Sequence, residues 1–118
     1  MKANSNTGII SNSWNFGGSF NEEASTMDMD PSGFMYITGI SNSDGMTSGF
    51  NDIFTFKFNP TSGTGVWGVY LGSSASGTEN SKDIVVSPDM QSVYVVGVED
   101  TVGLTFGSKD ILMIRFDA

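Results

Sequence analysis

Hydrophobic residues occur along the chain in short runs separated by glycine, serine, asparagine and proline. In several runs every second residue is apolar, as at Met27 and Met29 or at Ile84 and Val86. This alternation is typical of β-strands, in which successive side chains point to opposite faces. We therefore predict that Met27 and Met29 face inward. The pattern predicts strands near residues 9–16, 23–29, 34–40, 52–58, 64–71, 81–86, 92–98 and 109–116.

Turn-forming residues separate these predicted strands. Proline with serine, glycine or asparagine predicts turns at residues 31–33, 59–63 and 87–89. Two longer polar segments, residues 41–51 and 99–109, are expected to be loops on one side of the fold. In the run Val93–Val98, both the odd-numbered and the even-numbered residues are apolar, so we expect this strand to be buried on both faces.

The chain contains an internal repeat. The segment Gly49–Asn59 matches Gly107–Asp117 position by position, and the shift from Gly49 to Gly107 defines the repeat offset. The same offset aligns Met35–Ile40 with Val93–Val98. A tryptophan and glycine pattern at Trp14–Gly18 returns, at a slightly shorter offset, in Trp67–Gly72. Matches that keep the same order along the chain indicate two copies of one structural unit.

Eight strands in two copies give four strands for each repeat. Four-stranded antiparallel sheets that recur at such a period are typical of the blades of a β-propeller. We predict an all-β fold of two four-stranded antiparallel blades, forming a single unit of residues 1–118 with repeats near 14–72 and 73–118. When the two repeats are aligned in this way, the first strand of the chain corresponds to the last strand of a blade. The chain then stops one strand short of a second complete blade. The N-terminal strand is thus expected to complete a last blade, within an oligomer or a larger propeller.

Three motifs follow one another in the order seen in a known repeat family. They are the Trp-x-x-Tyr-Leu-Gly of Trp67–Gly72, the Asp-x-x-Gly-x-x-Tyr-x-x-Gly of Asp30–Gly39 and the Asp-Ile-x-x-x-Lys-Phe-Asn of Asp52–Asn59. The chain resembles the bacterial β-propeller repeats abbreviated SBBP over residues 14 to 118. The resemblance implies a propeller-type fold and an exported or cell-surface protein. It implies no uniform activity.

Two blades do not make a propeller, which typically has four to eight. Three arrangements would cover the apolar surfaces and strand edges that such a chain otherwise exposes. The chain is part of a longer propeller, it assembles with copies of itself, or its strands form a sandwich. The position of the N-terminal strand favours ring closure within a chain or between chains, and a filament results if the rotation does not close. A homo-oligomer or the remainder of a longer propeller is therefore the expected partner.

Composition excludes several kinds of chemistry. The chain has no His and no Cys, which removes zinc sites with those ligands and the Ser-His and Cys-His types of catalysis. Its net charge of −8 disfavours nucleic acid as a partner. No apolar run approaches a membrane span, and no signal peptide is visible after Met1 and Lys2. We expect no catalytic activity and no cofactor.

One stretch resembles the first half of a calcium loop. Asp28, Asp30 and Ser32 supply oxygen atoms at alternate positions, and Gly33 follows them. The acidic residue expected at the end of such a loop is replaced by Gly39. The alternative is a turn that Asp30 caps and in which Gly33 has a positive φ. The sequence favours the turn and leaves a calcium site at Asp28, Asp30 and Ser32 as a minor hypothesis.

Other candidate residues have structural explanations. Asp52 and Asp110 occupy equivalent places in the two repeats, which favours a repeated structural role over paired acid–base catalysis. Aromatic residues of the kind that stack on sugars are present at Trp14, Phe20, Trp67 and Tyr70, but packing in the core or between blades is the favoured explanation because Trp14 and Trp67 recur in register. The predicted function is a non-catalytic structural or interaction module that acts by self-assembly or protein contact. A module that binds glycan or calcium through the loops 41–51 and 99–109 is the alternative.

Overall fold

The structure of the chain is a computed structural model, and it describes residues 2–3, 8, 10–18, 21–42, 51–72, 77–100 and 109–118. These residues form strands and connections and no helix. None of them therefore belongs to a helix long and apolar enough to cross a membrane. The strands are β1 (Lys2–Ala3), β2 (Ile10–Asn12), β3 (Glu22–Met29), β4 (Met35–Ser41), β5 (Asp52–Asn59), β6 (Thr64–Leu71), β7 (Thr78–Val86), β8 (Ser92–Asp100) and β9 (Asp110–Asp117).

The first sheet is antiparallel, with four strands in the order β3-β4-β5-β6. Its register contains a bulge between Ala24 and Thr26, where β3 passes close to Gly39 of β4. A Cβ atom on Gly39 would collide with the backbone carbonyl oxygen of Glu23 and with the Phe54 ring. Glycine is therefore required here because another backbone approaches closely.

The second sheet, in the order β7-β8-β9, repeats this arrangement with three strands. In the first sheet Tyr36 pairs with Lys57, and in the second Tyr94 pairs with Arg115, so both partners are related by the repeat offset. The bulge also recurs, between Ser81 and Asp83. Gly97 takes the place of Gly39, since a Cβ atom on it would collide with the carbonyl oxygen of Asn80. The repeat seen in the sequence is thus a repeat of strand register.

The two sheets pack face to face, and we call their contact the junction. Strand β7 lies against β3, β4 and β5. The buried core of the junction consists of Tyr36 from the first sheet and Ile84, Val93 and Val95 from the second. Partly buried hydrophobic residues surround this core; they are Phe34, Trp67, Val86, Ile114, Phe116 and Ala118. The main cluster of buried hydrophobic residues therefore lies between the sheets, while Phe54 and Phe58 are buried on the first sheet's other side.

Three predictions from the sequence differ from the structure. The predicted strand 9–16 is a strand only at Ile10–Asn12, where it pairs with β1. Met27 and Met29 do not face inward; they are half exposed, on the face of the first sheet that points away from the junction. Strand β8 is not buried on both faces, because Tyr94 is exposed on the side opposite Val93 and Val95. The last two differences have one cause: in the described part of the chain the small β1-β2 sheet and residues 13–18 cover the first sheet's outer face only in part, and no sheet covers the outer face of the second.

The structure describes the two expected loops only at their ends. Of the segments 41–51 and 99–109, the residues 43–50 and 101–108 lie outside the described residues. The strands that flank them begin and end close to the predicted positions.

Candidate interaction surfaces

Aromatic residues dominate the first sheet's side of the junction. The Tyr36 ring centre lies 6.2 Å from that of Trp67, which lies 6.0 Å from that of Phe116 in the second sheet. The Lys57 ammonium group lies over the rings of Phe34 and Tyr36, at 4.6 and 5.2 Å from their centres. Aromatic side chains bury a large area at low conformational cost, so this side of the junction favours tight packing.

Hydrogen bonds join the sheets at both ends of β7. The backbone N–H of Val86 donates to Oδ2 of Asp28 at 2.8 Å, and the N–H of Glu79 donates to the carbonyl oxygen of Asn51 at 3.0 Å. Between them, the Ser81 hydroxyl donates to that of Ser25 at 3.3 Å. These bonds fix the position of one sheet along the other, which apolar packing alone does not determine.

Two carboxyl groups meet at one end of the junction. Asp52 begins β5 and Glu79 lies on β7, and both are almost fully buried. Burial raises the pKa of the Asp52 carboxyl to about 6, and the charge of Glu79 and a hydrogen bond to its side chain act in the same direction. Asp52 therefore keeps its proton at mildly acidic pH and becomes charged near neutrality.

The first sheet's other side, which we call the N-terminal face, is partly covered by residues 10–18. The Trp14 ring centre lies 5.2 Å from that of Phe58, and Phe16 lies 5.0 and 4.9 Å from Phe56 and Phe58. Beside these rings is a cavity of about 810 Å³. Its lining includes Trp14, Phe16, Met29, Met35, Ile37 and Phe58. The N-terminal face is therefore apolar and incompletely filled.

The side of the second sheet that points away from the junction is an exposed apolar surface, which we call the open face. Strand register places on it the apolar or aromatic residues Val85, Tyr94, Val96, Val98, Ile111 and Met113, with the polar residues Asn80, Asp83, Ser92, Arg115 and Asp117 among and beside them. Ile111 is 88% exposed and Met113 is 69% exposed. Their equivalents in the first sheet, Ile53 and Thr55, are 0% and 1% exposed because they lie inside the junction. Contiguous exposed apolar surface of this kind is typical of a contact site.

Strand β9 also has an unused edge within the described part of the chain. The equivalent strand of the first sheet, β5, pairs with β4 on one side and with β6 on the other. Strand β9 pairs with β8, and no other described strand pairs with it. An unpaired edge beside an exposed apolar face is able to add a strand from another segment or chain.

The residues predicted for calcium make hydrogen bonds to the protein. Asp30 Oδ1 accepts the backbone N–H of Ser32 and of Phe34 at 2.9 and 3.1 Å, and Oδ2 accepts the Tyr36 hydroxyl at 3.1 Å. Gly33 has a φ of 91°, as the predicted turn requires. The Ser32 hydroxyl donates to the Met90 sulfur at 3.4 Å. The turn is confirmed, and the calcium site stays a prediction.

Asp28 has a role that the sequence did not indicate. Its Oδ1 accepts the N–H of Met29 at 2.8 Å, while Oδ2 makes the hydrogen bond to Val86 across the junction. Among the described residues, no three acidic, histidine or cysteine side chains lie close enough together to hold a metal ion.

The aromatic residues proposed for sugar binding do not share one surface. Trp14 lies over the N-terminal face, and the pairing of Tyr70 with Phe54 places Tyr70 on that face as well. Trp67 belongs to the junction on the opposite side of the sheet, and Phe20 is not among the described residues. Asp110, the equivalent of Asp52, is exposed at the start of β9.

The exposed residues of the open face were not singled out from the sequence. The signal that identifies them is the repeat offset, which makes Ile111 and Met113 the equivalents of Ile53 and Thr55. Their exposure follows only from the three-dimensional structure.

Comparisons of the chain with models of protein families, with curated proteins and with solved structures found no match.

Proposed function

We propose that the chain is a non-catalytic structural module of a surface or exported protein, built from propeller-type blades, and that it acts by self-assembly. In this proposal each sheet is one blade and the junction is a blade-to-blade contact. The resemblance to SBBP repeats supports the exported or surface setting, because it implies that setting for proteins of this kind.

The observation that carries the proposal is the pair of unmatched faces at the two ends of the molecule. The open face carries the equivalents of residues that are buried in the junction. The N-terminal face carries the exposed Met27 and Met29, which the strand register makes the equivalents of Ile84 and Val86 in the junction. Each outer face therefore corresponds to one side of a contact that the chain already makes internally. Copies that repeat this contact form a head-to-tail series, which closes into a ring or extends as a filament.

The chemistry of the chain supports a role without catalysis. The sequence offers no histidine or cysteine for proton transfer or nucleophilic attack. The Asp52 carboxyl, whose pKa is raised to about 6, is buried beside Glu79 between the sheets and joins them. Substrate has no direct access to such a pair, so a structural role accounts for it.

The mass of the protein in solution tests the proposal. Native mass spectrometry at micromolar concentration should detect whole multiples of the 12.6 kDa chain. Six blades from three chains or eight from four are the closed forms that match common propellers. A protein that is strictly monomeric at micromolar concentration would contradict self-assembly.

Glycan binding is the second candidate, and the cavity on the N-terminal face is what favours it. Aromatic rings of Trp14 and Phe16 line this cavity together with the polar side chains of Asn12 and Thr61. Rings with nearby hydrogen-bonding groups are the usual means of binding sugars. A glycan that raises the melting temperature of the wild type and not of Trp14→Ala would support this candidate. In the same assay, a shift with millimolar calcium would support the Asp28, Asp30 and Ser32 site.

A further inference from the structure

We infer that residues 10–18 of one copy lie along strand β9 of a second copy and complete its second sheet as a fourth strand. The inference rests on the proposed self-assembly and specifies how the copies meet. The open face of one copy then packs on the N-terminal face of the next, as the first sheet packs on the second within one chain.

The first support is that Trp14 already makes the contact that the inference requires. Trp67 of β6 packs on Phe116 across the junction, at 6.0 Å between ring centres. Trp14 packs on Phe58, the equivalent of Phe116, at 5.2 Å. Residues 10–18 therefore lie over the first sheet in the way that β6 lies over the second. They occupy the place of the last strand of a neighbouring sheet. In the inferred assembly the other strands of that sheet belong to a second copy.

The second support is that the sheet which needs this strand exists at the other end of the molecule. In the first sheet, β6 pairs with β5 and brings Trp67 to the side of Tyr36. The second sheet has the equivalents of β5 and Tyr36, namely β9 and Tyr94, but no described strand in the position of β6. Residues 13–18 form no strand pairing in the described structure, so their backbone is available for it.

The third support is the match of the two surfaces. The open face presents Ile111 and Met113, which are well exposed in one copy, and Tyr94, which is about one-third exposed. The N-terminal face presents Met29, Met35 and Ile37 around a cavity of about 810 Å³. Side chains that enter this cavity from a second copy remove apolar surface on both sides from water, which is the main favourable term in protein association.

The register of the added strand follows from the register of the first sheet. There, Ile53 pairs with Leu71 and Thr55 pairs with Val69. The repeat offset carries Ile53 and Thr55 to Ile111 and Met113. The alignment of Trp14 with Trp67 carries Leu71 and Val69 back to Gly18 and Phe16. The inference therefore predicts that Ile111 of one copy lies opposite Gly18 of the next, and Met113 opposite Phe16.

Cysteine cross-linking tests this register, because the natural chain has no cysteine. Full-length Gly18→Cys and Ile111→Cys proteins are purified separately, mixed and oxidised gently. Both positions are exposed, so neither substitution removes a buried side chain. Cβ atoms directly opposite each other on paired strands are about 5 Å apart, close to the separation that a disulfide requires. We expect a disulfide-linked mixed dimer, and the pair Phe16→Cys with Met113→Cys provides a second measurement.

The matched control replaces Ile111→Cys by Val85→Cys. Val85 is exposed on the same open face but lies on β7, on the far side of β8 from β9. Mixed dimer with Gly18→Cys should form roughly tenfold faster for Ile111→Cys than for Val85→Cys, since docking raises the local thiol concentration. If copies associate but both predicted pairs react no faster than the control, the inferred register is overturned and self-assembly stands. If the copies do not associate at all, the proposed function is overturned with it.

Discussion

At the scale of single residues, the acidic side chains of this chain are used to join and cap its strands. Asp30 holds a turn and also binds Tyr36, and Asp28 binds the backbone of the second sheet. The turn was predictable because aspartate, proline, serine and glycine favour it locally. The bonds to Tyr36 and Val86 were not, because they depend on how distant segments pack.

Replacement of Asp30 should destabilise the fold. Asp30→Ala removes the acceptor for two backbone N–H groups and for the Tyr36 hydroxyl, which is buried. We expect a loss of about 2–4 kcal/mol in the free energy of unfolding, because buried donors are left without partners. Urea unfolding of the wild type and of Asp30→Ala measures this loss in free energy.

Asp89→Ala is the matched control for this prediction. Asp89 accepts the N–H of Gln91 in the equivalent turn of the second sheet, but it is exposed there. Water replaces the lost acceptor at an exposed site, so the loss should be smaller than for Asp30→Ala. Equal losses for the two variants would contradict the role assigned to Asp30.

The carboxyl pair at the junction predicts how stability depends on pH. The folded-state pKa of Asp52 is about 6, above the ordinary value of 3.8, so between these values the folded protein holds a proton that the unfolded chain has released. This group therefore contributes stability that is fully present below about pH 4, falls as pH rises to about 6, and is lost above that.

The difference between wild type and Asp52→Asn isolates this contribution. Urea unfolding from pH 4 to pH 7.5 should show that wild type loses stability relative to Asp52→Asn as pH rises, because asparagine does not ionise. Carboxyl groups that do not interact with Asp52 affect both proteins and cancel in the difference. A difference that does not change with pH would show that Asp52 has an ordinary pKa in the folded state.

At the scale of strands and sheets, the sequence predicted most of the structure. Strands β3 to β9 lie close to their predicted positions, because alternation and turn residues are local signals. The strand predicted at 9–16 is much shorter, since strand structure needs a partner and the described structure provides only β1. The glycines of the Tyr-x-x-Gly motif are explained by the bulges, where β3 and β7 approach Gly39 and Gly97.

Alanine at Gly97 should be poorly tolerated. Its Cβ atom would overlap the carbonyl oxygen of Asn80, and backbone atoms cannot move aside by changing a rotamer. We expect Gly97→Ala to cost about 2–3 kcal/mol or more in unfolding free energy. Gly65→Ala is the matched control, because no atom lies within 4 Å of a Cβ built on Gly65 in β6. Thermal unfolding compares the two, and equal melting temperatures would contradict the close approach at the bulge.

At the scale of the whole molecule, two similar sheets pack on each other; the open face of the second sheet is exposed, and the N-terminal face of the first is only partly covered. The repeat offset predicted the shared register, and it also identifies which exposed residues correspond to buried ones. The sequence could not show that Met27, Met29 and Tyr94 are exposed, because their periodicity is that of covered strands. Their apolar character is explained if the covering surface belongs to another copy.

Sedimentation velocity of three proteins tests this central claim most directly. Ile111→Lys places a charge on the open face, and Val66→Lys places the same charge at a half-exposed valine of the edge strand β6. Both reduce the net charge of −8 equally, so a general electrostatic effect cannot separate them. We predict that the wild type and Val66→Lys associate at micromolar concentration and that Ile111→Lys is monomeric. A monomeric wild type, or association that Ile111→Lys leaves unchanged, would contradict the assignment of the open face as the site of assembly.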